Sequence, residues 1–208
     1  MDIQFFGANC VVIDYRGTRL VLDDNLAELG GKSVLRAGDI ALFTSAHAEF
    51  KVFPKLVVDQ PGEYEVSDVS IVGSAARAHI DDDKSRSAVI YKVIAGEYSL
   101  LFTGHIFPEL TGNQLESLGG IDVMFVPVGG NGYTLDPNGA LNIIKQVDPK
   151  LVIPTHYSDS DIEYPVPQQS LEDALKILAM EPKESTLKFR LKPGDLSDGT
   201  QLIVLERS

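Results

Sequence analysis

Ile40-Ala41-Leu42-Phe43-Thr44-Ser45-Ala46-His47-Ala48-Glu49-Phe50 is the stretch on which the reading of this chain turns. An apolar run of strand length stops at a Thr, and a histidine and a carboxylate follow at once. Such a run predicts a buried strand with a polar pair just past its carboxyl end. The chain has four histidines in 208 residues, and the other three stand in the same context. His79 follows Val69-Ser70-Ile71-Val72-Gly73 after a short spacer. His105 directly follows Ser99-Leu100-Leu101-Phe102-Thr103-Gly104, and His156 follows Leu151-Val152-Ile153-Pro154-Thr155. In a layered α/β protein the carboxyl ends of strands gather on one edge, where ligand sites form. Four imidazoles on that edge are a donor set for a borderline metal such as zinc. A lone histidine is ordinarily structural; the repeated context makes these four a candidate site. No HEXXH or CXXC motif accompanies them.

Composition narrows the classes. A 44% apolar and 23% charged chain is that of an ordinary globular protein. Eighteen basic against thirty acidic residues leave a net charge of −12, which argues against a nucleic-acid or anionic-membrane surface. The single cysteine, Cys10, cannot form an internal disulfide, and a reducing, cytoplasmic setting is expected. Its place inside an apolar strand pattern makes it core rather than nucleophile. No basic, apolar leader and no run of membrane-spanning length is present.

Strands are predicted at residues 3–6, 10–14, 19–22, 40–44, 56–59, 69–73, 88–94 and 98–103, broken by Gly, Pro and Asp clusters. The pattern then alternates. Thr111 caps a short helix ending before Gly119, and Asp122–Val126 reads as a strand. Asp136-Pro137 starts a helix reaching about residue 147, and Ser170-Leu171-Glu172-Asp173 opens another, after the His156 strand. Strands near 187–191 and 201–206 close the chain. One domain over residues 1–208 is expected, with half-domains of roughly 1–95 and 96–208. Gly129-Gly130-Asn131-Gly132-Tyr133 reads as a tight strand-to-helix turn rather than an anion cradle.

Several segments resemble the metallo-β-lactamase superfamily, above all its compact zinc-dependent-hydrolase members, along nearly the whole chain. They are Phe6-Gly7-Ala8-Asn9-Cys10, Val21-Leu22-Asp23, Gln60-Pro61-Gly62-Glu63-Tyr64-Glu65-Val66, Asp122-Val123-Met124-Phe125-Val126-Pro127-Val128-Gly129-Gly130 with Tyr133-Thr134-Leu135-Asp136, and Leu151 to Tyr157. The resemblance implies an α/β fold, a four-layer αβ/βα sandwich, with a metal site on the shared edge of two sheets. It also shows where this chain departs from its relatives. Against the family's Thr-His-x-His-x-Asp-His, the first His is Ser45, the second remains as His47, Asp becomes Glu49 and the last His becomes Phe50. His79 and His156 remain in ligand positions. His105 stands where an aspartate usually bridges two metals, and Ala8 replaces an early His.

A two-zinc centre needs an anionic bridge and about three protein ligands per ion. A neutral imidazole presents one lone pair, so His105 cannot supply that bridge. The resemblance therefore implies a degenerate, mononuclear site: one zinc, or another divalent ion, on His47, His79 and His105, with His156 or water fourth. Glu49 would be the catalytic base or a weak oxygen ligand. Asp23 would orient a ligand, and Tyr157 would stabilise an oxyanion or pack. The function implied is metal-dependent hydrolysis of a small ester, lactone, amide or phosphodiester. The alternative is a non-catalytic, metal-free member that binds a metabolite or partner. A third reading, iron redox chemistry, rests on His47-Ala48-Glu49 alone.

Overall fold

The computed structural model describes residues 1–192 and 194–208. Burial alternates along β1 (Asp2–Gly7), because Ile3 and Phe5 face the core between the sheets while Asp2, Gln4 and the partly buried Phe6 face the other side. β1, β2 (Cys10–Tyr15) and β3 (Thr18–Leu22) form an antiparallel meander. β4 (Ile40–Leu42) and β5 (Leu56–Val58) continue the sheet in parallel. The other sheet starts with antiparallel β6 (Gly62–Val66), β7 (Val69–Ala76), β8 (Ala88–Ala95) and β9 (Tyr98–Phe102). It turns parallel at β10 (Val123–Pro127) and β11 (Leu151–Thr155). Every residue of β10 and β11 is buried, as central parallel strands require.

β12 (Glu184–Thr186) and β14 (Gln201–Leu205) complete that sheet, and β13 (Phe189–Arg190) crosses back to pair with β1. The orders are β13-β1-β2-β3-β4-β5 and β12-β14-β11-β10-β9-β8-β7-β6. Helices α1 (Gly112–Leu118), α2 (Pro137–Val147) and α3 (Leu171–Leu178) are capped by Thr111, Asp136 and Ser170, whose side chains accept from backbone N–H groups.

The sheets pack face to face. Phe5, Ile13, Leu20 and Leu42 meet Ile71, Tyr91, Leu100 and Phe125 between them. Leu101, Met124 and Val152 bury the outer face of the larger sheet against Ile143, Ala174 and Leu178 of the helices. The outer face of the smaller sheet, with Val12, Val21, Ala41 and Phe43, lies under Leu26, Leu35 and Ile162. That covering is a 3₁₀ turn (Leu26–Leu29) and loops, so the expected fourth layer is thin. Cys10 is buried there, as core.

Two strands differ from expectation. β6 carries Glu63 and Glu65 on its exposed face, and this polarity blunts a sheet edge while hiding the strand from an apolar-run reading. The strand expected near 187–191 shrinks to Phe189–Arg190, with Leu187 54% exposed, and the polar Glu184–Thr186 pairs instead.

Candidate functional site

β3 ends at Asp23 in a left-handed turn, φ 45°. Its carboxylate accepts from Thr44 N at 2.7 Å and from Thr44 Oγ1 at 2.6 Å, fixing the residue after the β4 run. Burial pushes this carboxyl up to about 6, against the pull of both hydrogen bonds. Thr44 also accepts from Val89 N on the other sheet, at 2.9 Å. Gly104, φ +60°, passes so close to Thr44 that a β-carbon would overlap its side chain. Asp23, Thr44 and Gly104 thus join the two sheets at their carboxyl edge.

Beyond that joint, His105 and His156 meet edge to face, ring centroids 4.5 Å apart. His156 is 5% exposed and left-handed, φ 52°; its N–H donates to Ala8 O at 2.7 Å, and Ala8 is itself left-handed. Two non-glycine residues held there mark a strained edge of the kind found at ligand sites. Burial pushes the His156 imidazole down to about 4, opposed by its bond to Gln168 Oε1 at 3.2 Å. His105 is held well below the usual range by burial, then by His156 and His79. Both rings are neutral at neutral pH. His79 N donates to His105 O at 2.7 Å, so these two residues lie on neighbouring backbones.

Asn9, which the sequence reading passed over, ties the cluster together. Its Nδ2 lies 3.2 Å from His105 Nε2 and its Oδ1 accepts from Thr155 Oγ1 at 2.8 Å. The signal available was an Asn in the short break between two apolar strand runs, next to Ala8. Tyr133, 5.3 Å from the His105 ring, and Tyr164, 4.9 Å from the His156 ring, complete the walls.

His47 is elsewhere. Its ring packs on Phe43, at 4.2 Å, and Phe50, at 4.7 Å, and the two phenylalanine rings are themselves 5.5 Å apart. Nδ1 lies 2.8 Å from Ala48 O and Nε2 lies 3.3 Å from Asp59 Oδ2. Phe50, at a position where the family resemblance implies a histidine, packs on His47. His47 borders a cleft of about 350 Å³ with Ser45, Asp59, Gln60 and Ser87. Glu49 is not beside the histidine cluster either: it lines a separate cavity with Asp24, Asn25 and Glu28. Tyr157 points away from the edge, donates to Leu205 O at 3.1 Å and packs on Phe5. Its hydroxyl is committed to that carbonyl, on the packing side of the two expected roles.

A metal fits this arrangement poorly. Among the described residues, no three His, Cys, Asp or Glu side chains are grouped to hold an ion. The expected convergence of His47, His79 and His105 does not occur, because the phenylalanine pair and Asp59 hold His47 in the strap after β4. What the cluster leaves open is Nδ1 of His79 and Nδ1 of His105, both buried without a partner.

The same fold recurs in solved structures. A zn-dependent hydrolase of the metallo-beta-lactamase superfamily from Thermotoga maritima superposes with a TM-score of 0.75 at 23% identity, over 99% of this chain and 98% of that one. A metallo hydrolase from Ignicoccus hospitalis gives 0.61 at 18% identity, over 92% and 99%. An isothiocyanate hydrolase from Delia radicum gut bacteria gives 0.61 at 12% identity, over 85% and 91%. The family model described as "Beta-lactamase superfamily domain" matches residues 2–156, from β1 to the histidine that ends β11. With that match across three quarters of its length, the chain belongs to the metallo-β-lactamase superfamily.

Proposed function

We propose that this chain is a non-hydrolytic member of its superfamily, which binds a small polar molecule at the carboxyl edge without a catalytic metal. The observation that carries this reading is the placement of His47. Zinc hydrolysis needs about three protein ligands with an open fourth position. With His47 engaged by Asp59 and packed on Phe43 and Phe50, the strap contributes none. What remains suits recognition. The cleft bordered by Ser45, His47, Asp59, Gln60 and Ser87 mixes donors and acceptors. The net charge of −12 disfavours nucleic acid and anionic lipid as ligands.

A second reading is favoured by one observation. The orphaned Nδ1 atoms of His79 and His105 are buried acceptors or donors without partners, which is costly unless something satisfies them. A single ion, zinc or another divalent metal, on His79 and His105 with His156 nearby would do so and would leave a hydrolase. One experiment separates the two. Chelator-stripped protein is reloaded with zinc, manganese or iron, its ions are counted by elemental analysis, and it is assayed on an ester, lactone, amide and phosphodiester panel. The binding reading expects well under one ion retained per chain and no turnover. One ion per chain with hydrolysis, both lost in His105→Ala, would establish the hydrolase instead. His105→Asp adds a carboxylate, and in the binding reading it gains ions without gaining turnover.

A further inference from the structure

We propose that the cleft beside His47 recognises a primary ammonium group, so that the small polar molecule bound there is an amine. The choice of cleft rests on the binding reading above, and the ammonium goes beyond it. Among the described residues that line the cleft, Asp59 is the one carboxylate and none is a lysine or arginine. The Asp59 side chain is 41% exposed, and His47 engages only its Oδ2, at 3.3 Å. That contact is the carboxylate's one hydrogen bond among the described residues, which leaves Oδ1 unpartnered on a side chain open to solvent.

A primary ammonium brings three N–H donors and no acceptor. Ser87 Oγ donates its own proton to Asp81 Oδ1 at 2.7 Å, so it offers the cleft lone pairs. Asp81 also accepts from Ser87 N and Ala78 N, both at 2.9 Å. The bonds from Ser87, then that from Ala78, hold the Asp81 carboxyl below the usual range, so Ser87 stands in front of an ionised group. Ser45 Oγ and Gln60 Oε1 are further acceptors on the same walls. Arg77 and Arg86 border a different cavity, beside α1. Arg77 is occupied by Asp81 O and the Asp83 carboxylate, and Arg86 by Asp83 O and Ser85 O.

Other ligand charges fit this lining less well. An anion meets no free cationic side chain, because both nitrogens of His47 face oxygens, those of Ala48 O and Asp59. A hard divalent metal needs six or more oxygens and matching charge, which one carboxylate among neutral groups does not supply. A quaternary ammonium has no N–H to donate and depends on aromatic faces, and no Phe, Tyr or Trp is among the lining residues. A primary amine remains. Ala46 and Val89 give its carbon stem an apolar surface, and the cleft of about 350 Å³ suits a short one. The net charge of −12 draws cations toward the chain.

The test is an NMR titration of chelator-treated full-length protein at constant ionic strength, following the amide signals of Asp59, Gln60 and Ser87. The probes are ethanolamine, choline, ethylene glycol and glycolate, which share a short hydroxylated stem and differ in the group it carries. Ethanolamine should saturate with a Kd on the order of 10 mM, and the other three should bind at least about tenfold more weakly. Asp59→Asn should weaken ethanolamine binding by about tenfold or more. Ser87→Ala, which leaves the contact of His47 with Asp59 in place, should weaken it by about threefold. Glu184→Gln, on β12 at the far edge of the larger sheet, should leave it unchanged. Choline, glycol or glycolate binding as tightly as ethanolamine overturns the ammonium and leaves a binding cleft standing. Ethanolamine affinity undiminished in both Asp59→Asn and Ser87→Ala overturns the site, as does an absence of shifts at roughly 100 mM ethanolamine. Ion content and turnover, which decide the binding reading, play no part in this comparison, so the two fail separately.

Discussion

At the end of β11, His156 is 5% exposed and stands ring against ring with His105. At the end of β4, His47 lies in an irregular strap, stacked on phenylalanines and aimed at Asp59. The two regions descend from the same strand-edge plan and are held by different forces. The first is tied by backbone register, a buried Asn9 network and close packing. The second is tied by Asp23 up to Thr44 and only by side-chain contacts beyond it. The departures from the family pattern fall in both regions: Ser45, Glu49 and Phe50 in the strap, Ala8 and His105 at the tightly held edge.

The joint between the regions should be the most sensitive point. Gly104→Ala puts a β-carbon into Thr44 and a side chain at φ +60°. It should cost more than about 3 kcal/mol, combining steric overlap with backbone strain. Urea unfolding measures it, and a loss below about 1 kcal/mol would show that the sheets can separate there.

The second expectation sets the regions against each other through pH. Asp23 is raised from 3.8 to about 6, so the fold favours its protonated form. Its contribution is complete below the unfolded value and is lost as pH rises through about 6. His156 is lowered from 6.5 to about 4, so the fold favours its neutral form. Its contribution is present above about 6.5 and is lost as pH falls through about 4. Each shift is worth about 3 kcal/mol and the signs oppose. Between these limits the two slopes offset in the wild type. Relative to it, Asp23→Asn should lose stability on acidification, and His156→Gln should lose it as pH rises. Unfolding at several pH values checks this; two variants with the wild-type profile would remove the electrostatic account of the edge.

Smaller effects probe the strap and the packing residue. Phe50→Ala should cost only about 1 kcal/mol, because the ring is partly exposed. It should also free the His47 imidazole, visible as a shift toward an unstacked ring in its NMR signals. Unchanged signals would mean that Phe43 and Asp59 hold the ring without it. Tyr157→Phe should cost about 1 kcal/mol or less, the worth of its single bond to Leu205 O, and leave ligand binding intact. A selective loss of binding would return Tyr157 to the site.

Much of this was legible in the sequence, and the limits have physical causes. The apolar runs gave β1 to β5 and β7 to β11, and the caps at Thr111, Asp136 and Ser170 gave the helices, because burial and capping are local signals. β6 was hidden by its charged edge face. His105 and His156 follow the ends of strands in parallel register, and His79 reaches His105 through the antiparallel bridge of Ala78 and Ile106. The departure of His47 was not legible, since it depends on a ring stacking against Phe43 and Phe50 and on Asp59 reaching across from the loop after β5. Spacing carries no information about where a side chain turns. The same holds for Asn9, whose two partners lie 96 and 146 residues away.

The most direct test of the separation between His47 and the other histidines is a zinc titration followed on the imidazole nitrogens by NMR. One equivalent of zinc should leave the His47 signals in place, still reporting its contacts with Ala48 O and Asp59, whatever happens at His79, His105 and His156. A concerted shift of His47, His79 and His105, saturating together at one equivalent, would show that the strap swings in to build a three-histidine metal centre, and would contradict the account.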